Sequence, residues 1–222
     1  MAPAPNDPVS ATAMDPPLCG MCPNPAVLTC QGCDNMEYCS QECQQHDLAQ
    51  HSTLCSSFKN FQQRPSDQHY RAIYFPINGT NPEFIWLRMD GTRGDHQVTD
   101  AELAQYVPGN VSDPHGSDIT VKRHHDLNRE YKNFMVVVHD QHMWDNCQPV
   151  NQCLIHTVGP VAQYWYGGYV AHGYKYYEPY LHEIDDVDRE LTKNGYPLIA
   201  LDLDTTSLGP LIAYIAATPM VK

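Results

Sequence analysis

The sequence predicts an α+β protein in two parts, a small cysteine-stapled module followed by a larger mixed domain. Three observations predict it. Eight ligand-type residues crowd into one stretch in the order C-x2-C-x7-C-x2-C-x5-C-x3-C-x7-H-x3-C, from Cys19 to Cys55. Beyond them, apolar strand-like runs alternate with capped helical stretches. The chain has 222 residues and is 42% hydrophobic, room for the module and one domain with a core of its own.

In chain order, residues 1–17 read as a disordered Pro-rich tail without the apolar stretch or basic flank of a signal peptide. The module is expected over 18–62. Each C-x2-C pair can turn two thiolates onto one ion. Cys39/Cys43 and His51/Cys55 are spaced i,i+4 and are expected on one helical face. Four such pairs fill two closed tetrahedra with no position left for water or substrate, so two structural Zn2+ ions are expected and a catalytic metal is not. Spacing alone leaves open which pairs share an ion. The stretch SSFKNFQQ should continue the closing helix, with Phe58 and Phe61 as an apolar i,i+3 pair able to dock on the finger or on the next domain. Pro65-Ser66-Asp67 marks a boundary, and 65–222 is expected to form the mixed α+β domain. Within it, 69–77 and 83–89 read as strands around an Asn/Gly/Pro turn. Thr99 opens a short helix with Glu102 three residues on. Residues 131–140 form the clearest buried strand, 182–195 a helix stopped by Gly195, 197–204 another strand, and SLGPLIAYIAA a core helix.

The ligand order, with Tyr38-Cys39-Ser40 and Cys43-Gln44 beside the ligands, resembles a MYND-type zinc finger. In that family the pairs interleave. The resemblance therefore implies Cys19, Cys22, Cys39 and Cys43 on one zinc and Cys30, Cys33, His51 and Cys55 on the other. It also implies that the closing helix offers Gln44 and Leu48 to a protein segment, often a proline-rich one. The family usually places an aromatic, often Trp, three residues before the ligand His. Here Leu48 stands there, which implies a weaker grip on proline.

Charge narrows the partner class. The chain carries 26 Asp+Glu against 13 Lys+Arg, a formal net charge of -13. No Lys or Arg lies between Cys19 and Cys55, and seven thiolates outweigh two zinc ions. Phosphate neutralisation supplies most nonspecific nucleic-acid affinity, so direct nucleic-acid binding is not expected. No run of ~20 apolar residues is present, which excludes a helical membrane span. A disulfide scaffold is the alternative use of so many cysteines. Without a signal peptide an intracellular location, nucleus or cytoplasm, is expected, and reduced thiols there favour metal.

Five features of the second domain invite other chemistry. PLIALDLDTTSL resembles the first motif of haloacid-dehalogenase-type phosphotransferases, with Asp202 and Asp204 as the catalytic pair, but only twenty residues follow Asp202, too few for the rest of such a site. His139, Asp140, His142, Cys147 and Cys153 fit no metal or nucleophile spacing, and His124-His125 reads as a solvated turn. The run 164–180 concentrates Tyr164, Trp165, Tyr166, Tyr169, Tyr174, Tyr176, Tyr177 and Tyr180. Packing of a sheet core is its first reading and a partner surface its second. The cluster Glu183, Asp185, Asp186, Asp188 and Glu190 reads as a solvated helix face. A SET methyltransferase, which carries a MYND finger in some proteins, lacks its Asn-His-x-Cys segment here. The expected function is thus a nonenzymatic adaptor that binds protein through its finger. The alternative is an enzyme with its activity in 65–222 and the finger as recruiting module.

Overall fold

Short extended pieces come first, because Pro, Gly and Asn punctuate the chain around the paired cysteines too often for longer ones. The computed structural model describes residues 17–91, 96–109, 119–176 and 198–218, less the side chains of Lys132 and Tyr176. Most of the expected tail lies outside the described residues, as do the 182–195 helix with its acidic cluster, Tyr177 and Tyr180.

Strands β1 (Leu28–Thr29) and β2 (Glu37–Tyr38) pair antiparallel. Helix α1 (Gln41–Phe58) comes next, its N-cap Ser40 accepting the Cys43 N–H at 3.2 Å. Its buried stripe is Asp47, His51, Leu54 and Phe58, the i, i+4, i+7, i+11 spacing of one helical face. A 3-10 turn at Lys59–Phe61 ends it.

The rest is an antiparallel sheet with short helices. Strands β3 (His69–Phe75), β4 (Glu83–Asp90), β5 (Gln97–Val98), β6 (Ile119–His124), β7 (Arg129–His139) and β8 (Tyr169–Tyr176) lie in the order β5-β4-β3-β8-β7-β6, and β9 (Leu198–Leu201) pairs with β8 beside β3. Helices α2 (Asp100–Leu103), α3 (Gln152–Val158) and α4 (Leu208–Ala217) and 3-10 turns at Pro160–Tyr164 and Thr205–Ser207 complete the described elements. Thr99 caps α2 by accepting the Glu102 N–H. Asn151 caps α3 and spends its amide on the Phe75 and Gly167 carbonyls, so a fully buried polar side chain is satisfied.

Strand alternation splits the apolar residues between two faces. One carries Ala72, Ile85, Leu87, Val136, Val138 and Val170, closed in part by Leu103 and Val107. The other carries Ile73, Phe75, Phe84, Val137, Tyr169 and Ala171, and its cluster runs on without a break into Leu54, Phe58, Tyr38 and the buried cysteines of the first module. Phe58 and Phe61 dock as a pair on Phe84, with ring centroids 5.6 and 5.9 Å away, and Phe61 also meets Trp86 at 5.8 Å. The module and the domain therefore share one of the two cores. This differs from the expectation that 65–222 holds its core alone.

Three local expectations change. The strand expected over 197–204 ends at Leu201, because Asp202 turns away to accept from Arg71 N–H and from Arg64. Cys39 precedes the cap of α1, so a capping turn and not a helical face brings it to Cys43. His124 is no solvated turn: it closes β6 and is 8% exposed, while His125 sits edge-on to Tyr214. The tyrosine run keeps its first reading, the packing of a sheet core, at Trp165, Tyr169 and Tyr174, and Tyr164 is exposed.

Candidate metal centre

Two groups of four donors assemble from the first module, Cys19, Cys22, Cys39 and Cys43 in one and Cys30, Cys33, His51 and Cys55 in the other, each with its ligand atoms within 4.8 Å of one another. The pairs interleave, which resolves the choice that spacing leaves open. The chain does this by folding each C-x2-C pair into a knuckle and laying α1 between the knuckles. Cys43 is then carried by its first turn, and His51 and Cys55 by later ones.

In the first group Cys22 Sγ lies 3.4 Å from Cys39 Sγ, and Cys39 Sγ 3.6 Å from Cys43 Sγ. In the second, His51 Nε2 lies 3.3 Å from Cys30 Sγ and 3.6 Å from Cys33 Sγ, with Cys30 and Cys55 sulfurs 3.7 Å apart. A tetrahedron of ~2.3 Å Zn–S bonds has edges of ~3.8 Å, so these donors already stand near the required spacing. Gly32 makes the second knuckle possible: a Cβ there would lie 2.7 Å from Cys55 Sγ.

Burial and the neighbouring Cys30 thiol push the Cys55 thiol up to about 12. Burial pushes Cys19 up as well, but hydrogen bonds from the Met21 and Cys39 N–H groups and from the Cys22 and Cys39 thiols outweigh that and bring it to about 7. Eight close donors cannot all present lone pairs to one another without a cation, and two divalent ions remove that conflict. The two groups fit two structural zinc ions. When bound, zinc crosslinks the knuckles to α1; the closed donor sets leave it no open position for chemistry.

The sheet domain grips both groups. Arg129 Nη2 donates to the carbonyls of Cys19 and Cys22 at 2.9 Å each. At the second group, Asn35 Nδ2 donates to Asp204 Oδ2 at 3.3 Å, and Thr205 donates its hydroxyl proton to Asn35 Oδ1 at 2.5 Å. That proton is thus committed, and Thr205 Oγ1 packs 3.6 Å from Cys33 Sγ. Arg71, 8% exposed, donates to the carbonyls of Leu203 and Phe61 and stacks 4.6 Å over the Phe58 ring. The DLDTT segment is therefore a strap between domain and finger. Sequence reasoning missed this role, since Asn35 and its partners stand 169 and 170 residues apart.

Of the other expected residues, Gln44 is half-buried and Leu48 is 58% exposed on α1. His139, Asp140 and Cys153 are buried, Cys147 is exposed, and none joins a metal group among the described residues. Asp140 accepts instead from His142 N–H and Asn146 Nδ2, holding its own loop. No helix of the described residues is long and apolar enough to cross a membrane.

Residues 19–55 match the family described as MYND finger. Such fingers are generally protein-interaction modules. No curated protein and no solved structure matches the chain.

Proposed function

We propose that this chain, with its MYND finger at residues 19–55, is a nonenzymatic intracellular adaptor: the zinc-folded finger binds a segment of another protein, and the antiparallel domain holds the finger in place. The observation that carries this reading is where apolar surface is left uncovered. Of the six large apolar side chains exposed among the described residues, Val27 and Leu48 belong to this small finger and Leu18 directly precedes it. Leu48 stands one turn after Gln44, so both present one face of α1. The occupant is a protein segment, a proline-rich one included. The lack of Lys and Arg from Cys19 to Cys55 argues against nucleic acid. The carboxylates of Asp202 and Asp204 are taken up by Arg64, Arg71 N–H, Asn35 and Thr206, which supports a structural use of the segment over a catalytic one.

The test is a titration of isotope-labelled, zinc-loaded full chain with a proline-leucine decapeptide and, separately, with duplex DNA at low salt. The peptide should move the signals of Gln44 and Leu48. Leu48→Trp should tighten it by roughly two- to tenfold, because a flat ring offers a proline more contact. Tighter binding to DNA than to the peptide, or peptide shifts confined to a face remote from Gln44 and Leu48, would overturn the reading.

A further inference from the structure

The two donor groups are covered unequally. In the second, Cys30, Cys33 and His51 are buried and Cys55 is partly exposed. The strap lies against it, with Thr205 Oγ1 3.6 Å from Cys33 Sγ and Asn35 tied to both Asp204 and Thr205. In the first, Cys19 is buried, but Cys22, Cys39 and Cys43 are all partly exposed. Arg129 holds this knuckle by the Cys19 and Cys22 carbonyls, which fixes the backbone and leaves the sulfurs their open side.

The reactivity of a cysteine follows its thiolate character and its access to solvent. Bound zinc keeps every donor thiol deprotonated, so access decides between the two groups. Geometry then decides the pair. Cys22 Sγ and Cys39 Sγ stand 3.4 Å apart, closer than the 3.6 Å of Cys39–Cys43 and the 3.7 Å of Cys30–Cys55. A disulfide sets its sulfurs ~2.05 Å apart, so this pair has to close by roughly 1.4 Å. Both residues lie in bends between elements, where the backbone yields more readily than in the first turn of α1 that carries Cys43.

We propose that Cys22 and Cys39 form a redox site: hydrogen peroxide converts them to a disulfide and the first centre gives up its zinc, while the second centre keeps its ion. One thiolate attacks the O–O bond of the peroxide and becomes a sulfenic acid, expelling hydroxide. The other thiolate then attacks that sulfur, forms the S–S bond and expels a second hydroxide. Two electrons thus pass from the two sulfurs to the peroxide, and two protons from solvent turn the hydroxides into water. Cys19 and Cys43 remain, too few donors to close a tetrahedron. Helix α1 is loosened at its first turn, beside Gln44, and stays anchored by His51, Cys55 and the contact of Phe58 with Phe84.

The experiment treats isotope-labelled, zinc-loaded full chain with hydrogen peroxide. Released zinc is followed with a colorimetric chelator, the second centre by the ring signals of His51, and disulfides by mass spectrometry after thiol alkylation. One zinc per chain should leave first, together with the appearance of a Cys22–Cys39 linkage, while the His51 signals hold. The second zinc should leave more slowly by roughly tenfold or more. Dithiothreitol with added zinc should restore the starting spectrum. Thr205→Ala uncovers Cys33, so it should speed loss of the second zinc several-fold and leave the first unchanged. The unmodified chain decides the matter even where this variant does not fold. Simultaneous loss of both ions, early movement of the His51 signals, or loss of the first zinc without a Cys22–Cys39 linkage would each overturn the proposal, as would a folded Thr205→Ala chain that loses its second zinc at the parent rate.

Discussion

Arg71 is the residue at which finger and sheet depend on each other most directly, because one buried guanidinium serves the turn after α1, the strap at Leu203 and the Phe58 ring. Arg71→Met keeps the stem but strands two carbonyls. It should cost about 3 kcal/mol in urea unfolding, the range for hydrogen bonds to a charged group. Tyr38→Phe is the smaller counterpart. It takes from buried Asp47 its donor and should cost about 1–3 kcal/mol, with zinc content unchanged by elemental analysis. His172 makes stability depend on acid. Burial holds its pKa down at about 4, against ~6.5 in the unfolded chain. Between those values the unfolded state binds the extra proton, so this contribution is whole above pH ~6.5 and is lost as pH falls towards 4, on the order of 3 kcal/mol at most. His172→Phe should lose less urea stability than the parent between pH 7 and pH 5; equal losses would place the acid sensitivity elsewhere. The zinc ligands were legible because their chemistry is written in local spacing. Arg71, Asn35 and Thr205 were not, since each matters through partners far away in sequence.

At the scale of elements, the second knuckle and the strap act together. Gly32→Ala would drive a methyl into Cys55, and chelator should then remove zinc from the second centre well before the first, seen as a two-step release where the parent chain has closer steps. The strands at 69–77, 83–89 and 131–140 were legible from their apolar runs between turn residues, and β3, β4 and β7 lie there. The α4 helix was legible for the same reason. The strand over 197–204 was overextended because an alternating Leu-Asp pattern reads like a half-buried strand, whereas Asp202 and Asp204 are drawn off by Arg71, Arg64 and Asn35. The helical pairing of Cys39 with Cys43 failed because an i,i+4 spacing does not reveal where the cap falls; Ser40 sets it.

For the molecule as a whole, the α+β class was legible and the shared core was not, because binary patterns show which residues are buried but not against what. Residues 65–222 alone would expose the faces of Phe84 and Trp86 that Phe58 and Phe61 cover. Aromatic side chains of this size bury ~150–250 Å² each. That fragment should therefore unfold at lower urea than the full chain and bind a hydrophobic dye that the full chain does not. Chelator added to the full chain should shift the unfolding of the sheet as well as melt α1. An unshifted sheet transition in chelator would mean that the finger's cover contributes little.

The strap also sets an order of events during synthesis. Asn35 leaves the ribosome long before Asp204 and Thr205, which are 169 and 170 residues away. At ~5–20 residues per second this interval is roughly ten to thirty seconds. The knuckles can capture zinc early in that time, yet Phe58, Phe61 and the inner side of the second knuckle must wait, uncovered, for the strands and the strap. The nascent finger is thus metal-loaded but sticky, and a holding chaperone that recognises exposed aromatics would find it in that window.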